Sequence, residues 1–231
     1  MTIKLNLQST ALAGLLAMGA MSSANAVPIS GTGTLGSFTG SLTYTATDST
    51  TATLNVSLTN TSLAANTGFI TAFVLNNPNS QITSITNFAD APGGGVFNLI
   101  PLTNGGINGA PNGQFDFGAS TGSAFLGGGL PNSGIAVGAS DSLTFSVTGI
   151  NLSALTVNSF LAELSTGTGS GDGFAAFDVR FRGFADGGSD KVIGSGTATV
   201  PGTTTSLPEP ASMALLGLGL AGLGLVRRWV K

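Results

Sequence analysis

Residues 143–147 read LTFSV. Successive side chains of an extended strand point to opposite faces, so Leu143, Phe145 and Val147 fall on one side and Thr144 and Ser146 on the other. Residues 53–58, TLNVSL, repeat the pattern with Leu54, Val56 and Leu58. Leu42 and Tyr44 alternate with Thr43 and Thr45. Residues 177–182, FDVRFR, alternate Phe177, Val179 and Phe181 with Asp178, Arg180 and Arg182. Period-two alternation predicts strands with one buried face and one wet face. Turn-forming clusters separate these runs: NNPN at 76–79, PGGG at 92–95, TNGGINGAPNG at 103–113 and GGGLPNSG at 127–134. No amphipathic helix is read, and residues 152–155 are assigned at most a single turn. Many short strands, Gly-rich loops and no crossover helices predict an all-β chain. The expected fold is an antiparallel β-sandwich or jelly-roll-like domain over residues 27–200, with 91–134 as long loops or irregular strands. A solenoid would need a fixed repeat period, and none is found.

Composition supports this and narrows the chemistry. Only 7% of residues are charged, against roughly 25% in an average soluble protein. Gly contributes 36 residues, while Cys and His are absent. Without them there is no disulfide framework, thiol nucleophile, ordinary zinc site or Ser-His-Asp triad.

Both ends read as addresses. Lys4, the uncharged run 11–21 and Ala24-Asn25-Ala26 have the order of a signal peptide, with Ala24 and Ala26 as the small residues of an A-x-A cleavage site. Residues 1–26 are therefore expected to be removed on export. At the other end a linker, PGTTTSL at 201–207, precedes Pro208-Glu209-Pro210. Residues 211–226 are uncharged and mostly apolar, and would span about 24 Å as a helix. Arg227, Arg228 and Lys231 follow as a cytoplasmic stop. The two prolines hold the segment ahead of this run extended, which would present its backbone to a processing enzyme.

Pro-Glu-Pro, a Gly/Leu-rich span and a basic end, in that order over residues 208–231, resemble the PEP-CTERM sorting tail of exopolysaccharide-producing Gram-negative bacteria. The resemblance implies an exosortase as partner, with Pro208, Glu209 and Pro210 as its recognition residues. It also implies a transient inner-membrane anchor formed by a single C-terminal hydrophobic helix, then release to the cell surface or matrix. The stretch from Leu155 to Phe184 is similar to segments of other proteins with such tails, and that likeness implies no activity.

Between residues 27 and 207 the bases are Arg180, Arg182 and Lys191, against nine acids, a net charge of −6. This argues against a nucleic-acid partner. Glycoside hydrolysis would need two carboxylates, for which Glu163 on a strand-like FLAEL could pair with Asp178 or Asp172. Lys191, in the turn-like SDKV, is read as a solvated charge. GSGDG at 169–173 and DGGSD at 186–190 put Asp172, Asp186 and Asp190 in Gly loops. Such loops offer oxygens for calcium, or simply form hairpin turns. Trp229 would leave with the tail and Tyr44 is the only tyrosine, which disfavours an aromatic sugar platform. An ice- or flat-surface-binding face would require a T-x-T ladder across several strands, whereas Thr is also an ordinary exposed strand residue.

The sequence therefore points to an exported, non-enzymatic structural or adhesive protein of the surface or extracellular matrix, associated with exopolysaccharide or biofilm. A calcium-dependent carbohydrate-binding or other ligand-binding module is the alternative, and no other cofactor is implied. Replacing Pro208, Glu209 and Pro210 with Ala should leave full-length protein in the inner-membrane fraction; its unchanged appearance at the surface would exclude the motif as the sorting signal.

Overall fold

The computed structural model describes residues 25–127, 129–167 and 175–196. Ala24, Asp172, the 201–207 linker, the expected hydrophobic helix, Pro208, Glu209, Pro210, Arg227, Arg228 and Lys231 lie outside the described residues.

Thirteen strands are described: β1 (Val27–Thr32), β2 (Ser37–Ala46), β3 (Thr51–Asn60), β4 (Thr67–Leu75), β5 (Ile82–Asp90), β6 (Asn98–Ile100), β7 (Ile107–Asn108), β8 (Gln114–Phe115), β9 (Phe117–Ser120), β10 (Ile135–Ala136), β11 (Ser140–Gly149), β12 (Phe177–Phe184) and β13 (Ser189–Gly196). Eleven form one sheet in the order β5-β11-β3-β2-β1-β13-β12-β4-β9-β6, with β10 also on β4, while β7 and β8 pair separately. Every pairing is antiparallel. The β1–β13 seam has two register pairs, Ile29 with Gly196 and Ser30 with Ser195. It joins two halves, and these face each other across one core.

The alternation expected from sequence sets that core. Leu42, Tyr44, Leu54, Val56, Leu58, Leu143, Phe145 and Val147 are buried from one half; Phe177, Val179 and Phe181 are buried from the other. Phe145 meets Phe73 edge-on at 6.1 Å between ring centroids and Phe117 at 5.6 Å. Phe73 stacks on Phe177 at 5.6 Å. Such offset and edge-on pairs add about 0.5–1.5 kcal/mol each beyond the area they bury.

Three sequence expectations change. Asp178 was expected on a wet face, yet it is 0% exposed. The reason is β4, where every residue from Ile70 to Leu75 is buried. A strand buried on both faces needs a cover on each. On the outer side, Ala72 and Val74 pack in a second small cluster with Ile100, Ile107, Phe115, Phe125 and Ala175. The loops between β6 and β10 supply much of that cover. Second, Lys191 lies on β13, not in a turn. Third, the expected strand at FLAEL is replaced by a helix, α1 (Val157–Ala162), with Glu163 as its C-cap. The Thr156 N–H donates to Ser159 Oγ at 3.1 Å, half of a capping box at its start. Phe160 from this helix packs on Tyr44 at 5.3 Å.

Phe145→Ala should destabilise the domain by about 3–5 kcal/mol in a urea titration, because it empties the inter-layer core. Thr144→Ala, one residue away on the outer face, should change it by less than about 1 kcal/mol.

Candidate functional site

The two outer faces of the sandwich differ in kind. On β2, β3 and β11 the outward positions fall into register as rows. Thr45, Thr53, Ser146 and Asn87 form one; Thr43, Asn55 and Thr144 the next; then Ser41, Ser57 and Ser142; then Thr39, Thr59 and Ser140. None of these residues is buried, and none is charged. Neighbouring strands lie about 4.8 Å apart and alternate residues about 6.7 Å apart, so the hydroxyls and amides form a two-dimensional array. Members bond to one another: Thr144 Oγ1 donates to Asn55 Oδ1 at 2.6 Å, and Thr59 Oγ1 and Ser140 Oγ lie 2.7 Å apart. The rows mix Thr with Ser and Asn and so do not form a Thr-x-Thr ladder across the strands; among the row residues only Thr43 and Thr45 on β2 are such a pair.

The opposite half carries the bases Arg180, Arg182 and Lys191 on the outer side of β12 and β13. They reach the covering loops. Arg180 Nη1 donates to the Phe125 carbonyl at 2.8 Å, Arg182 Nη1 to Gly129 at 3.1 Å, and Lys191 Nζ to Ala110. Asn112 Nδ2 donates to Asp178 Oδ2 at 3.0 Å. Asp178 Oδ1 is buried and makes no hydrogen bond of ordinary geometry. The turn that carries Asn112 is fixed from behind. Its N–H donates to Gly109 O at 3.1 Å, and its carbonyl accepts from Ser165 Oγ at 2.6 Å. Gly113 follows with φ +98°, and a Cβ there would lie 2.5 Å from Ser165 Oγ. Only glycine fits that step.

Burial pushes Asp178 up to about 7, opposed by the Asn112 hydrogen bond and then by the Lys191 charge. Lys191 is lowered by burial, opposed by Asp178 and reinforced by Arg180. A second perturbed acid, Asp141, is the second residue of β11 and is 5% exposed. Burial pushes it up to about 6; the Ser142 N–H opposes this and the Asp90 carboxylate adds to it.

Of the residues expected to offer calcium ligands, Asp186 and Asp190 are described, and both have backbone partners. Asp186 Oδ1 accepts the Gly188 N–H at 2.7 Å inside the β12–β13 hairpin. Asp190 Oδ2 accepts Leu35 and Gly36 N–H groups at 2.8 and 3.1 Å, and its Oδ1 accepts its neighbour's N–H at 3.0 Å. Among the described residues no group of three or more His, Cys, Asp or Glu could hold a metal ion. Glu163 Oε2 accepts the Asn79 N–H at 3.2 Å, and Asp178 is engaged by Asn112. Tyr44 is core: its hydroxyl donates to Leu152 O at 2.9 Å, and burial pushes it up to about 12.

Sequence reading did not connect Asn112 with Asp178 and Lys191. A signal was available in TGFITAFVL at 67–75, where apolar residues run without alternation and so call for a cover on both faces.

The chain carries a PEP-CTERM protein-sorting motif, matched at residues 206–228. The motif implies a membrane-anchored stage, exosortase processing and export. No curated protein and no solved structure matches the chain.

A carboxyl whose pKa rises on folding favours the folded state in its protonated form. That contribution is fully present below about 4, the unfolded value. It is lost as pH rises through about 6 for Asp141 and about 7 for Asp178. The domain should therefore melt at higher temperature at pH 5 than at pH 8. The difference should shrink in Asp178→Asn and further in Asp178→Asn/Asp141→Asn, read by differential scanning fluorimetry.

Proposed function

We propose that this protein is a non-enzymatic component of the cell surface or extracellular matrix that adheres to neutral exopolysaccharide through the outer face of β2, β3 and β11. The uncharged hydroxyl and amide array on that face carries the reading. A neutral polysaccharide presents hydroxyls at every residue, and each of these can donate and accept. A single hydrogen bond nets only about 1 kcal/mol in water. A polymer that repeats the contact along a surface gains by multivalency. The sorting motif supports the export that this reading requires.

The same rows raise binding to ice, but sheets twist by roughly 20–25° from strand to strand. A flexible polymer can follow a twisted array more readily than a flat crystal plane can. Calcium-dependent binding by the acidic loops is the competing reading, and the two separate in one experiment. The exported protein should co-sediment with an insoluble neutral glucan equally well with and without chelator. Thr43→Glu/Thr144→Glu should weaken this roughly tenfold, equivalent to about 1.4 kcal/mol. Chelator-sensitive binding, or binding that ignores the double variant, would overturn adhesion through this face.

A further inference from the structure

Lys191 is the only lysine between residues 27 and 207. A strand lysine ordinarily runs its stem along the surface and leaves its ammonium in water. Here the amine is drawn under the turn at 109–113, where Nζ donates to the Ala110 carbonyl. Two residues further along that turn stands Asn112, only 7% exposed. Its carboxamide lies on Asp178, with Nδ2 at 3.0 Å from Oδ2. Asp178 pairs with Ile193 across β12 and β13, and Lys191 with Arg180, so the lysine and the acid are diagonal neighbours on one outer face. One loop and two strands thus bring an amine, a carboxamide and a carboxyl group into one covered enclave. Each already has a narrow set of partners there, and the turn is held by Ser165 and Gly113.

We propose that Lys191 and Asn112 become joined by a side-chain amide bond, with Asp178 as the group that moves the protons. The amine of Lys191, in its neutral form, attacks Cγ of Asn112. The Asp178 carboxyl lies against Nδ2, the nitrogen that must leave, where it can act as the general acid that protonates it. A carbon–nitrogen bond forms between Cγ and Nζ. The proton lost by Nζ passes through Asp178 to Nδ2, the Cγ–Nδ2 bond breaks, and ammonia leaves. Amine and carboxamide become a secondary amide and ammonia, with no oxidant and no co-reactant. Burial favours both reacting forms: it raises the acid so that it holds its proton, and lowers the amine so that it gives its proton up. The reaction is unimolecular, and the fold supplies the high effective concentration that an otherwise slow amide exchange needs. It happens once per chain and involves no turnover of an external substrate.

The test is mass spectrometry of the purified full chain. Loss of ammonia should place the intact mass about 17 Da below that of the unlinked chain, the signature of the covalent step. Trypsin should then fail to cut after Lys191. It should instead yield a branched peptide in which the chain ending at Arg180 is tied through Asn112 to the chain beginning at Gly183. Lys191→Arg keeps the charge but cannot form this bond, so its mass should match the sequence. Asp178→Asn keeps the shape and should slow or abolish the loss. Asn112 precedes Gly113, and such a pair can also lose ammonia by closing a succinimide on its own backbone. Asn104–Gly105 and Asn108–Gly109 can do the same. A deficit that persists in Lys191→Arg would be a succinimide at one of these three pairs and would overturn the proposal. So would an unshifted mass for the unsubstituted chain, or a linear peptide cut after Lys191.

Discussion

The edge-on contact of Phe145 with Phe73 and Phe117 ties the two halves of the sheet together. Once Phe145 is inside, period two leaves Thr144 and Ser146 no choice but the outer face, and the register carries the same choice to β3 and β2. The uncharged array is therefore a by-product of where the rings go. On the other half the same rings fix Phe177 and Val179 inward, which turns Asp178 outward. It does not reach water, because Ala72 and Val74 beside it are apolar and have their own cover. One inter-layer contact thus yields an open polar face on one side and an enclosed charged one on the other.

How much of this could be read beforehand follows from distance along the chain. Strands at 53–58, 143–147 and 177–182 were legible because alternation is a local signal, and their buried faces came out as Leu54, Val56, Leu58, Phe145 and Phe181. The rows were not legible, because register between β2, β3 and β11 depends on pairing across gaps of many residues. Nor was the enclave: nothing near Asn112 in sequence reveals that it will sit on Asp178, 66 positions later. The helix at 157–162 was hidden for another reason. It is six residues long and stands on a Thr–Ser cap and one buried ring rather than on any sustained period.

Low charge also decides how the loops are held. With only 7% of residues charged, buried amides and carboxylates take the place of missing backbone partners. Asn77 exchanges hydrogen bonds with Ile82 in both directions, at 2.9 and 2.8 Å. Asn76 Nδ2 reaches the carbonyls of Glu163 and Ala175 at 3.0 and 2.9 Å. Asp116 accepts the Asn77 N–H at 2.6 Å and also that of Gly105. Buried polar groups of this kind stay in place because leaving one unpaired costs about 1–3 kcal/mol. The NNPN cluster, which reads as a plain turn, is in fact an interior joint between the sheet and the Gly-rich cover.

The β1–β13 seam has a mechanical consequence. Gly196 ends β13 beside Ile29 near the start of β1, so the two ends of the described domain lie side by side. The length of chain from Gly196 to Pro208 sets an upper limit of about 40 Å on the distance between the domain and the sorting motif. Tension arriving through the tail enters at β13, whereas the hydroxyl array lies on the far side of the seam. On one flank β13 is held to β1 by two residue pairs and on the other to β12 by six, so the seam is the weaker of its two sheet connections. If that seam parted, the packing of Phe145 on Phe73 and Phe117 would still hold the two halves together.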